Sequence, residues 1–406
     1  MGRSAMPKKV GICLLIATCL LPRAASASLR GHVRHTSRAT HRMVPQTQSN
    51  AGALPGQSQT VMPDGRILLL GGEVANGPDN RVALQDPASG SVTTLAVTLL
   101  HARAWHSATL LPDGMIVIMG GLGTDGSTVK EAELFDPATV RFQNLHLNGV
   151  ISRAYHTATL LTDGRVLIAG GVGSGSETLR KLELWDYRSG LGNSVSIDLL
   201  TPRSKHTATL LADGTVLVWG GVDGTGSPLN YGEVFDPTTQ RIWMQATPIS
   251  PSADSGPPRV AESIPHDGAT EVPVDALIAL RFSRPLKVQT VSISTVVLSS
   301  SQGTVAAKVV PAEGGMLAFV SPEEVLSPGT AYTLSFEGLA DNSGQALTDP
   351  QILFTTAGTA NDNGTGTGVV GTTGGTGGGA GAGDPQNSPW RDLPPLQAKP
   401  GMTALA

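Results

Sequence analysis

Four segments of the chain repeat at a nearly constant interval, and this periodicity constrains the fold more than any other feature. The segments align without gaps and read QSQTVMPDGRILLLGG (57–72), HSATLLPDGMIVIMGG (106–121), HTATLLTDGRVLIAGG (156–171) and HTATLLADGTVLVWGG (206–221). The first glycine of each Gly-Gly pair lies at position 71, 120, 170 or 220, which gives spacings of 49, 50 and 50 residues. A repeat of this length with strand-like runs indicates an array of similar small sheets.

Each repeat predicts four strands. A run such as HTATLL forms the first strand, and the Asp-Gly pair after it predicts a hairpin, expected as a type I′ turn. The run that ends at Gly-Gly is the returning strand, and a loop rich in glycine and serine follows it. The third strands are AELFDP (132–137), LELWDY (182–187) and GEVFDP (232–237), and a fourth strand such as RIWMQ (241–245) completes the repeat.

The order R-x-x-H, strand, D-G, strand, G-G and A-E-x-[FW]-D-P resembles the kelch repeat of galactose-oxidase-like β-propellers. The resemblance covers residues 54–247 and implies a kelch-like β-propeller with four recognisable blades. Kelch propellers usually have more than four blades. The sequence therefore leaves two alternatives open, a closed ring of four blades or an incomplete ring that needs other material.

A second domain is predicted after a linker rich in proline and serine at 248–258. Residues 259–357 alternate strand-like runs with turn residues and show no helical period, which predicts a β-sandwich. The pattern resembles the bacterial Ig-like domains of surface-layer and secreted proteins. The matching pieces are SIPHDGATEVPV (263–274), RFSRP (281–285), SPGTAYTL (327–334), DNSG (341–344) and FTT (354–356). The whole chain is thus expected to be all-β with disordered termini.

Residues 1–27 predict a signal peptide and hence a secreted protein in the periplasm or at the cell surface. Arg3, Lys8 and Lys9 precede an apolar run at 10–21, and Ala25-Ser26-Ala27 predicts cleavage between Ala27 and Ser28. The apolar run is too short to span a bilayer, and no transmembrane segment is expected.

Three further segments lack the pattern of a folded domain. Residues 28–53 form a basic, flexible leader, and 358–388 form a Gly/Thr-rich linker. Residues 389–406 are interpreted as the start of a possible further domain, because a flexible linker normally joins two parts. This arrangement is similar to the entrance of large secreted RHS/YD-repeat proteins.

Charge and cysteine content exclude several classes of function. The chain has 28 basic and 32 acidic residues. Nucleic-acid binding needs a basic surface, so no nucleic-acid partner is expected. Both cysteines, Cys13 and Cys19, lie in the signal peptide, so the mature chain would have no thiol. A galactose-oxidase-like copper enzyme needs a Cys–Tyr crosslink. We therefore expect no catalytic residue, no cofactor and no metal site.

One constellation recurs in three repeats and is missing from the first, which has Leu54, Gln57 and Ala83 at the same positions. The recurring residues are Arg103, His106 and Glu133; Arg153, His156 and Glu183; and Arg203, His206 and Glu233. The histidines could converge on one metal ion, or each set could form a structural network of hydrogen bonds and ion pairs. Their joint loss favours the network and predicts an Arg–Glu pair within each repeat, with the histidine nearby.

The loops between the second and third strands are expected to share one face with the arginine-bearing connections. They comprise 73–80, 122–130, 172–179 and 222–230 and contain no aromatic residue. Loops on one face of such a scaffold commonly bind ligands. The sequence thus predicts a secreted or cell-surface, non-enzymatic binding or presentation protein with an unknown protein or glycan ligand on this face. The alternatives are a carbohydrate-active or oxidative enzyme, and a structural stalk of a larger RHS/YD-repeat protein.

Overall fold

The computed structural model describes residues 53–250, 256–349 and 351–358. The predicted signal peptide with its Ala27–Ser28 cleavage site, the leader up to residue 52, the Gly/Thr-rich linker from residue 359 and the segment 389–406 lie outside the described residues. Within the described residues the all-β prediction is confirmed. The helical segments there are two 3-10 turns, Val288–Thr290 and Glu313–Gly315. No helix in this part of the chain is long and apolar enough to cross a membrane.

Each sequence repeat forms one four-stranded antiparallel sheet. The first two repeats contain β1 (Ser58–Val61), β2 (Ile67–Leu70), β3 (Glu73–Val74), β4 (Gly77–Pro78), β5 (Arg81–Gln85), β6 (Val92–Thr98), β7 (Ser107–Leu110), β8 (Ile116–Met119), β9 (Ala132–Asp136) and β10 (Arg141–Leu145). The next two contain β11 (Arg153–Ala154), β12 (Thr157–Leu160), β13 (Val166–Ala169), β14 (Val172–Gly173), β15 (Leu182–Asp186), β16 (Leu191–Ser194), β17 (Thr207–Leu210), β18 (Val216–Trp219), β19 (Gly232–Asp236) and β20 (Arg241–Gln245).

The strand order is the same in all four sheets and follows the chain. The orders are β1-β2-β5-β6, β7-β8-β9-β10, β12-β13-β15-β16 and β17-β18-β19-β20, while β3-β4 and β11-β14 form small separate ladders. The first strand of each sheet packs beside the first strand of the next, from β1 through β7 and β12 to β17. Within the described ranges no comparable packing joins β17 to β1.

The central strands explain why the sheets stack face to face. All four residues of β8 and all four of β13 are buried, although adjacent residues of a strand point to opposite faces. Both faces of these strands must therefore be covered, and neighbouring sheets supply the cover in one continuous apolar core. In the last sheet, Leu217 and Val234 instead form a small cluster with Trp219 and with Ile249 of the linker.

The Asp-Gly hairpins differ in type from the prediction. Gly65, Gly114, Gly164 and Gly214 have positive φ, but the preceding aspartates do not, as a type I′ turn would require. The Gly65 N–H donates to the Met62 carbonyl at 2.8 Å, and the Met62 N–H donates to the Arg66 carbonyl at 2.8 Å. This is a three-residue loop with a type I turn and a glycine bulge. The aspartate stabilises it, because Asp64 Oδ1 accepts from the Arg66 N–H at 3.0 Å.

The second domain is the expected sandwich of two sheets. It contains β21 (Val260–Ile264), β22 (Ala269–Val272), β23 (Ile278–Phe282), β24 (Val296–Ser300), β25 (Gly303–Thr304), β26 (Ala307–Ala312), β27 (Leu317–Pro322), β28 (Ala331–Phe336) and β29 (Gln351–Thr356). The orders are β21-β23-β27-β26 and β22-β29-β28-β24-β25. An apolar core between them includes Phe282, Leu298, Leu334 and Phe354.

The sandwich packs directly on the repeats, which the linker pattern did not predict. Val310, Leu317 and Phe319 belong to the same apolar core as the repeat sheets. Polar contacts reach the hairpin end of the sheets as well. Lys308 Nζ donates to the Asp113 carbonyl at 2.5 Å, and Arg281 Nε donates to the Ala212 carbonyl at 2.9 Å. The β21-β23-β27-β26 sheet thus covers the hairpin end of the repeat array.

Candidate functional site

The Arg–Glu pairing expected from the sequence is present in all three repeats. Arg103 Nη2 lies 2.8 Å from Glu133 Oε1, and Arg203 Nη2 lies 2.6 Å from Glu233 Oε1. Arg153 forms the equivalent ion pair with Glu183. All six side chains are buried within their own repeat.

Backbone groups complete the hydrogen bonding of each pair. Arg103 Nη1 donates to the Gly120 carbonyl at 3.0 Å, and Glu133 accepts from the Leu100 and His101 N–H groups at 2.7 and 2.9 Å. Burial lowers the pKa of the Arg103 guanidinium, and the facing Glu133 carboxylate opposes that shift. A buried charge is tolerated when it is paired and hydrogen-bonded in this way. The pair therefore ties the connection before each sheet to the second and third strands.

The histidines join consecutive repeats and do not gather on one point. Each Nε2 lies within hydrogen-bond distance of a hydroxyl in the preceding repeat: Ser58–His106 at 2.8 Å, Ser107–His156 at 2.9 Å and Thr157–His206 at 3.0 Å. The three Nδ1 atoms are buried and have no hydrogen-bond partner among the described residues. Among the described residues no three metal-ligating side chains are grouped to hold an ion.

Burial keeps these imidazoles neutral. It lowers the pKa of His106 and of His206 to about 3, and a neighbouring arginine adds to the effect in each case. The first glycine of each of the first three Gly-Gly pairs makes room for the ring, since a Cβ at Gly71 or Gly120 would lie 3.0 Å from the Cε1 of the next histidine. The Gly-Gly signature therefore marks the junction between repeats.

The first repeat replaces the charged set with a neutral one. Gln57 Nε2 donates to the Gly71 carbonyl at 3.1 Å, the role that an arginine nitrogen has in the other repeats. Ala83 is buried at the glutamate position, so no buried carboxylate needs a partner. Within the described residues no repeat precedes position 57, so none offers a hydroxyl to a histidine there. The joint absence of the three residues thus suits a terminal repeat, which commonly departs from the pattern of its neighbours.

Sequence reasoning missed the residues that stand just before the histidines. Trp105, Tyr155 and Lys205 have positive φ values of 61°, 56° and 57°, which is unusual for bulky side chains. Gly56 takes this position in the first repeat. The Trp105 N–H donates to the Gly56 carbonyl at 2.7 Å, and the same link runs from Tyr155 to Trp105 and from Lys205 to Tyr155 at 2.9 Å. The only signal in the sequence was a variable position inside R-x-x-H.

The side chains of these residues contact one another in a row. The Trp105 and Tyr155 ring centroids are 5.0 Å apart, and Lys205 Nζ lies 4.9 Å from the Tyr155 centroid, a cation–π distance. A Cβ on Gly56 would lie 2.7 Å from the Trp105 ring, so the outer ring face is covered too. Trp105 Nε1 donates to Glu73 Oε2 at 3.3 Å. The ring faces are therefore occupied within the protein.

An open cleft lies on the loop face of the second repeat. Its volume is about 420 Å³, and it is lined by His101, Ala102, Gly123, Thr124, Asp125, Ser127, Thr128, Val129, Lys130 and Glu131. The His101 side chain is 38% exposed, and its Nδ1 lies 3.4 Å from Glu133 Oε1. The buried Glu133 thus contacts a solvent-accessible imidazole, that of His101. In the third and fourth repeats the same position is occupied by Ile151 and Thr201.

Comparison with known proteins identifies the second domain. Residues 254–356 match the bacterial Ig-like domain family, which confirms the predicted sandwich and extends it into the predicted linker. No curated protein matches the chain. Among solved structures, a fungal alcohol oxidase of the AA5 family in complex with copper is 12% identical, with 74% of this chain and 85% of that chain covered at a TM-score of 0.37. That similarity is too low to support any statement about this chain.

Proposed function

We propose that the chain is a secreted or cell-surface, non-enzymatic binding protein. Its four repeat sheets act as blades of a kelch-like propeller, and its ligand binds on the face formed by the loops and the arginine-bearing connections. The cleft of about 420 Å³ at His101 and Asp125 is the observation that carries this proposal.

The loop face has a rigid foundation. Ala104 and Leu122 form a backbone bridge between the connection and the loop of the second repeat, and Ser204 and Val222 do the same in the fourth. In the third repeat the connection and the loop pair as β11 and β14. A surface held by backbone ladders and buried ion pairs suits recognition, because little ordering is needed on binding.

The chemistry of the cleft favours a polar ligand. His101, Asp125, Lys130 and Glu131 offer donors and acceptors of both charges, and Ser127 and Thr128 add hydroxyls. The neighbouring aromatic rings have their faces covered, so recognition would rest on hydrogen bonds and not on ring stacking. A glycan or an extended peptide presents such groups.

The extracellular location is supported by two independent features. The first residues carry the three regions of a signal peptide. The Ig-like match at 254–356 is a domain type that occurs in bacterial surface and secreted proteins.

The test is a screen of the exported protein against a glycan array and a peptide library. We expect a ligand whose binding falls at least about tenfold, near 1.4 kcal/mol, in His101→Ala and in Asp125→Asn. Asp125→Asn keeps an oxygen that can accept from the Ser127 N–H and so preserves the loop turn. Glu324→Ala, an exposed change in the Ig-like domain, is the matched control. Ligands that bind both cleft variants as well as the wild type would refute the site.

A further inference from the structure

The three junctions between consecutive repeats share one set of contacts. Each histidine meets a hydroxyl of the preceding repeat, as described above. The residue before the histidine donates its N–H to the carbonyl of its equivalent in the preceding repeat. The arginine carbonyl accepts from the second glycine of the preceding Gly-Gly pair: Gly72 to Arg103 at 3.0 Å, Gly121 to Arg153 at 2.9 Å and Gly171 to Arg203 at 2.8 Å. One R-x-x-H segment therefore supplies all three contacts of a junction.

The fourth repeat presents the same three groups in open form. Thr207 Oγ1 reaches only the Trp219 carbonyl of its own sheet, at a long 3.5 Å. Within the part of the chain that the structure describes, no group accepts from the Gly221 N–H or donates to the Lys205 carbonyl. Thr207 and Lys205 are exposed, and Gly221 is half-buried where its three equivalents are buried.

The chain has one R-x-x-H segment more than the three junctions use. The motif occurs four times in the sequence, at 38–41, 103–106, 153–156 and 203–206. The last three copies form the junctions described above. The first copy, Arg38-Ala39-Thr40-His41, lies in the leader, outside the described residues and after the predicted cleavage site. Four repeats thus present four sets of groups, and four segments are available for them.

The residue after the arginine distinguishes this copy from the other histidines of the leader. That position is buried in all three junctions and holds a small side chain: Ala104, Ala154 and Ser204. Ala39 meets the same requirement. The other two histidines of the leader, His32 and His35, have the larger Arg30 and Val33 at this position.

The leader is long enough to bring the segment to the fourth repeat. Position 40 lies 16 residues before Gly56. An extended stretch of that length spans about 50 Å. Backbone hydrogen bonds run from Gly56 through Trp105 and Tyr155 to Lys205, at 2.7, 2.9 and 2.9 Å. These three links and the residues between them place the Lys205 carbonyl within about 20 Å of Gly56.

We propose that residues 38–41 of the chain's own leader dock on the open groups of the fourth repeat. A segment tethered within reach has an effective concentration of about 1 mM, which favours it over the same segment of a second chain. The docked segment repeats the three contacts of the other junctions: His41 Nε2 with Thr207 Oγ1, the Gly221 N–H with the Arg38 carbonyl, and the Thr40 N–H with the Lys205 carbonyl.

Two features of the segment bear on how firmly it docks. The Arg38 guanidinium takes part in none of the three contacts, so it needs no buried carboxylate. Thr40 takes the place of Trp105, Tyr155 and Lys205, whose φ values are positive. This conformation costs a branched residue more than it costs glycine, and the hydrogen bonds must offset that cost.

The test is amide hydrogen exchange at Gly221 in the exported full chain. We expect a protected amide in the wild type. Exchange should be at least about fivefold faster in His41→Ala and in Thr207→Val, the loss expected for one hydrogen bond, and no faster when the two are combined. Thr40→Gly should slow the exchange, because glycine adopts positive φ without steric cost. His35→Ala, in the same leader, and Thr207→Ser, which keeps the hydroxyl, are the matched controls and should exchange as the wild type does.

A labelled peptide with the sequence of residues 36–45 provides the second measurement. It should bind saturably to His41→Ala at about 1 mM, because a segment that docks through its tether must bind at that concentration. The wild type should bind it at least about tenfold more weakly, since its own leader occupies the groups. The peptide with its histidine replaced by alanine should bind neither protein.

Three results would overturn the proposal. The first is equal exchange at Gly221 in the wild type and in His41→Ala, with both folded by circular dichroism. The second is a peptide that fails to bind His41→Ala, or that binds it no better than the wild type. The third is protection of Gly221 that rises with protein concentration as the chain self-associates, because the occupant would then belong to a second copy.

Discussion

At the scale of single residues, the protein depends on charges that are buried only because they are paired. Arg153 is buried in the third repeat and donates to the Gly170 carbonyl at 2.9 Å in addition to its ion pair with Glu183. Burial raises the pKa of Glu183, and the Arg153 charge opposes that shift. Each partner is therefore tolerated only in the presence of the other.

Removal of one partner should cost far more than removal of both. Arg153→Ala leaves Glu183 buried and unpaired, and the free energy of unfolding should fall by about 3–5 kcal/mol. Arg153→Met combined with Glu183→Leu keeps the side-chain volume and removes both charges. The free energy of unfolding of this double variant should therefore fall much less. Urea denaturation of the three proteins measures the difference. A loss below about 1 kcal/mol in Arg153→Ala would show that the carboxylate finds another partner or water.

Another acid, Glu313, connects the two domains. Its Oε1 accepts from the Leu160 N–H of β12 at 2.7 Å. Burial raises its pKa from 4.5 to about 7, and the Leu160 N–H acts in the opposite direction. A carboxyl with a raised pKa adds stability in its protonated form. That contribution is fully present below about pH 4.5 and is lost as the pH rises through about 7.

Glu313→Gln should therefore remove the part of the pH dependence of the free energy of unfolding that Glu313 contributes between pH 4.5 and 7. The buried histidines act in the opposite sense, because their lowered pKa makes the protein less stable as the pH falls below their usual 6.5. The relevant quantity is thus the difference between wild type and variant, measured by thermal unfolding at several pH values. A difference that does not change with pH would contradict the assignment.

At the scale of elements, the junction between sheets is the unit that repeats. The first strands of neighbouring sheets are joined through side chains, such as Thr60 Oγ1, which donates to the Ala108 carbonyl at 2.9 Å. The Ser107–His156 link at 2.9 Å is of the same kind. These contacts fix how one sheet is placed against the next, because each one joins residues in different repeats.

The coupling across one junction can be measured directly. Ser107→Ala, His156→Ala and the double variant form a cycle that isolates the hydroxyl–imidazole contact. We expect a coupling energy of about 0.5–1.5 kcal/mol from chemical denaturation, the usual range for a neutral hydrogen bond. Ser91→Ala with His156→Ala serves as a control pair without contact and should be additive. Additivity in the first cycle would show that the link does not contribute.

At the scale of the whole molecule, the repeats and the Ig-like domain share one apolar core. Phe319 and Val310 of the sandwich lie in the same cluster as Leu111 and Leu161, which follow the first strands of their sheets. Arg281 also donates from Nη1 to Thr162 Oγ1 at 2.9 Å. The two sequence domains are therefore joined by packing as well as by the chain.

This shared core predicts that both domains unfold together. Differential scanning calorimetry of the full chain should show one transition, whose calorimetric and van't Hoff enthalpies agree. Phe319→Ala should lower the transition temperature of the single peak, since large-to-small core changes commonly cost about 3–5 kcal/mol. Two resolved peaks, with only one shifted by the substitution, would mean that the domains unfold independently.

The amino-acid sequence by itself determined the elements and the pairing within each repeat. Strand positions such as Ala132–Asp136 follow from local alternation and turn residues. Arg103 and Glu133 could be paired in advance because a buried carboxylate needs a cation and the two recur together. The predicted turn type was wrong. The loop between the first and second strands of each repeat has one residue more than the two-residue loop of a type I′ hairpin.

Only the tertiary structure decided the contacts that cross from one unit to another. The Leu160–Glu313 hydrogen bond joins residues 153 positions apart, and the Ser107–His156 link joins residues 49 apart. The contact between the Trp105 and Tyr155 rings has the same origin. No local pattern encodes them, because they depend on the orientation of whole sheets, which is set by the summed packing of many side chains.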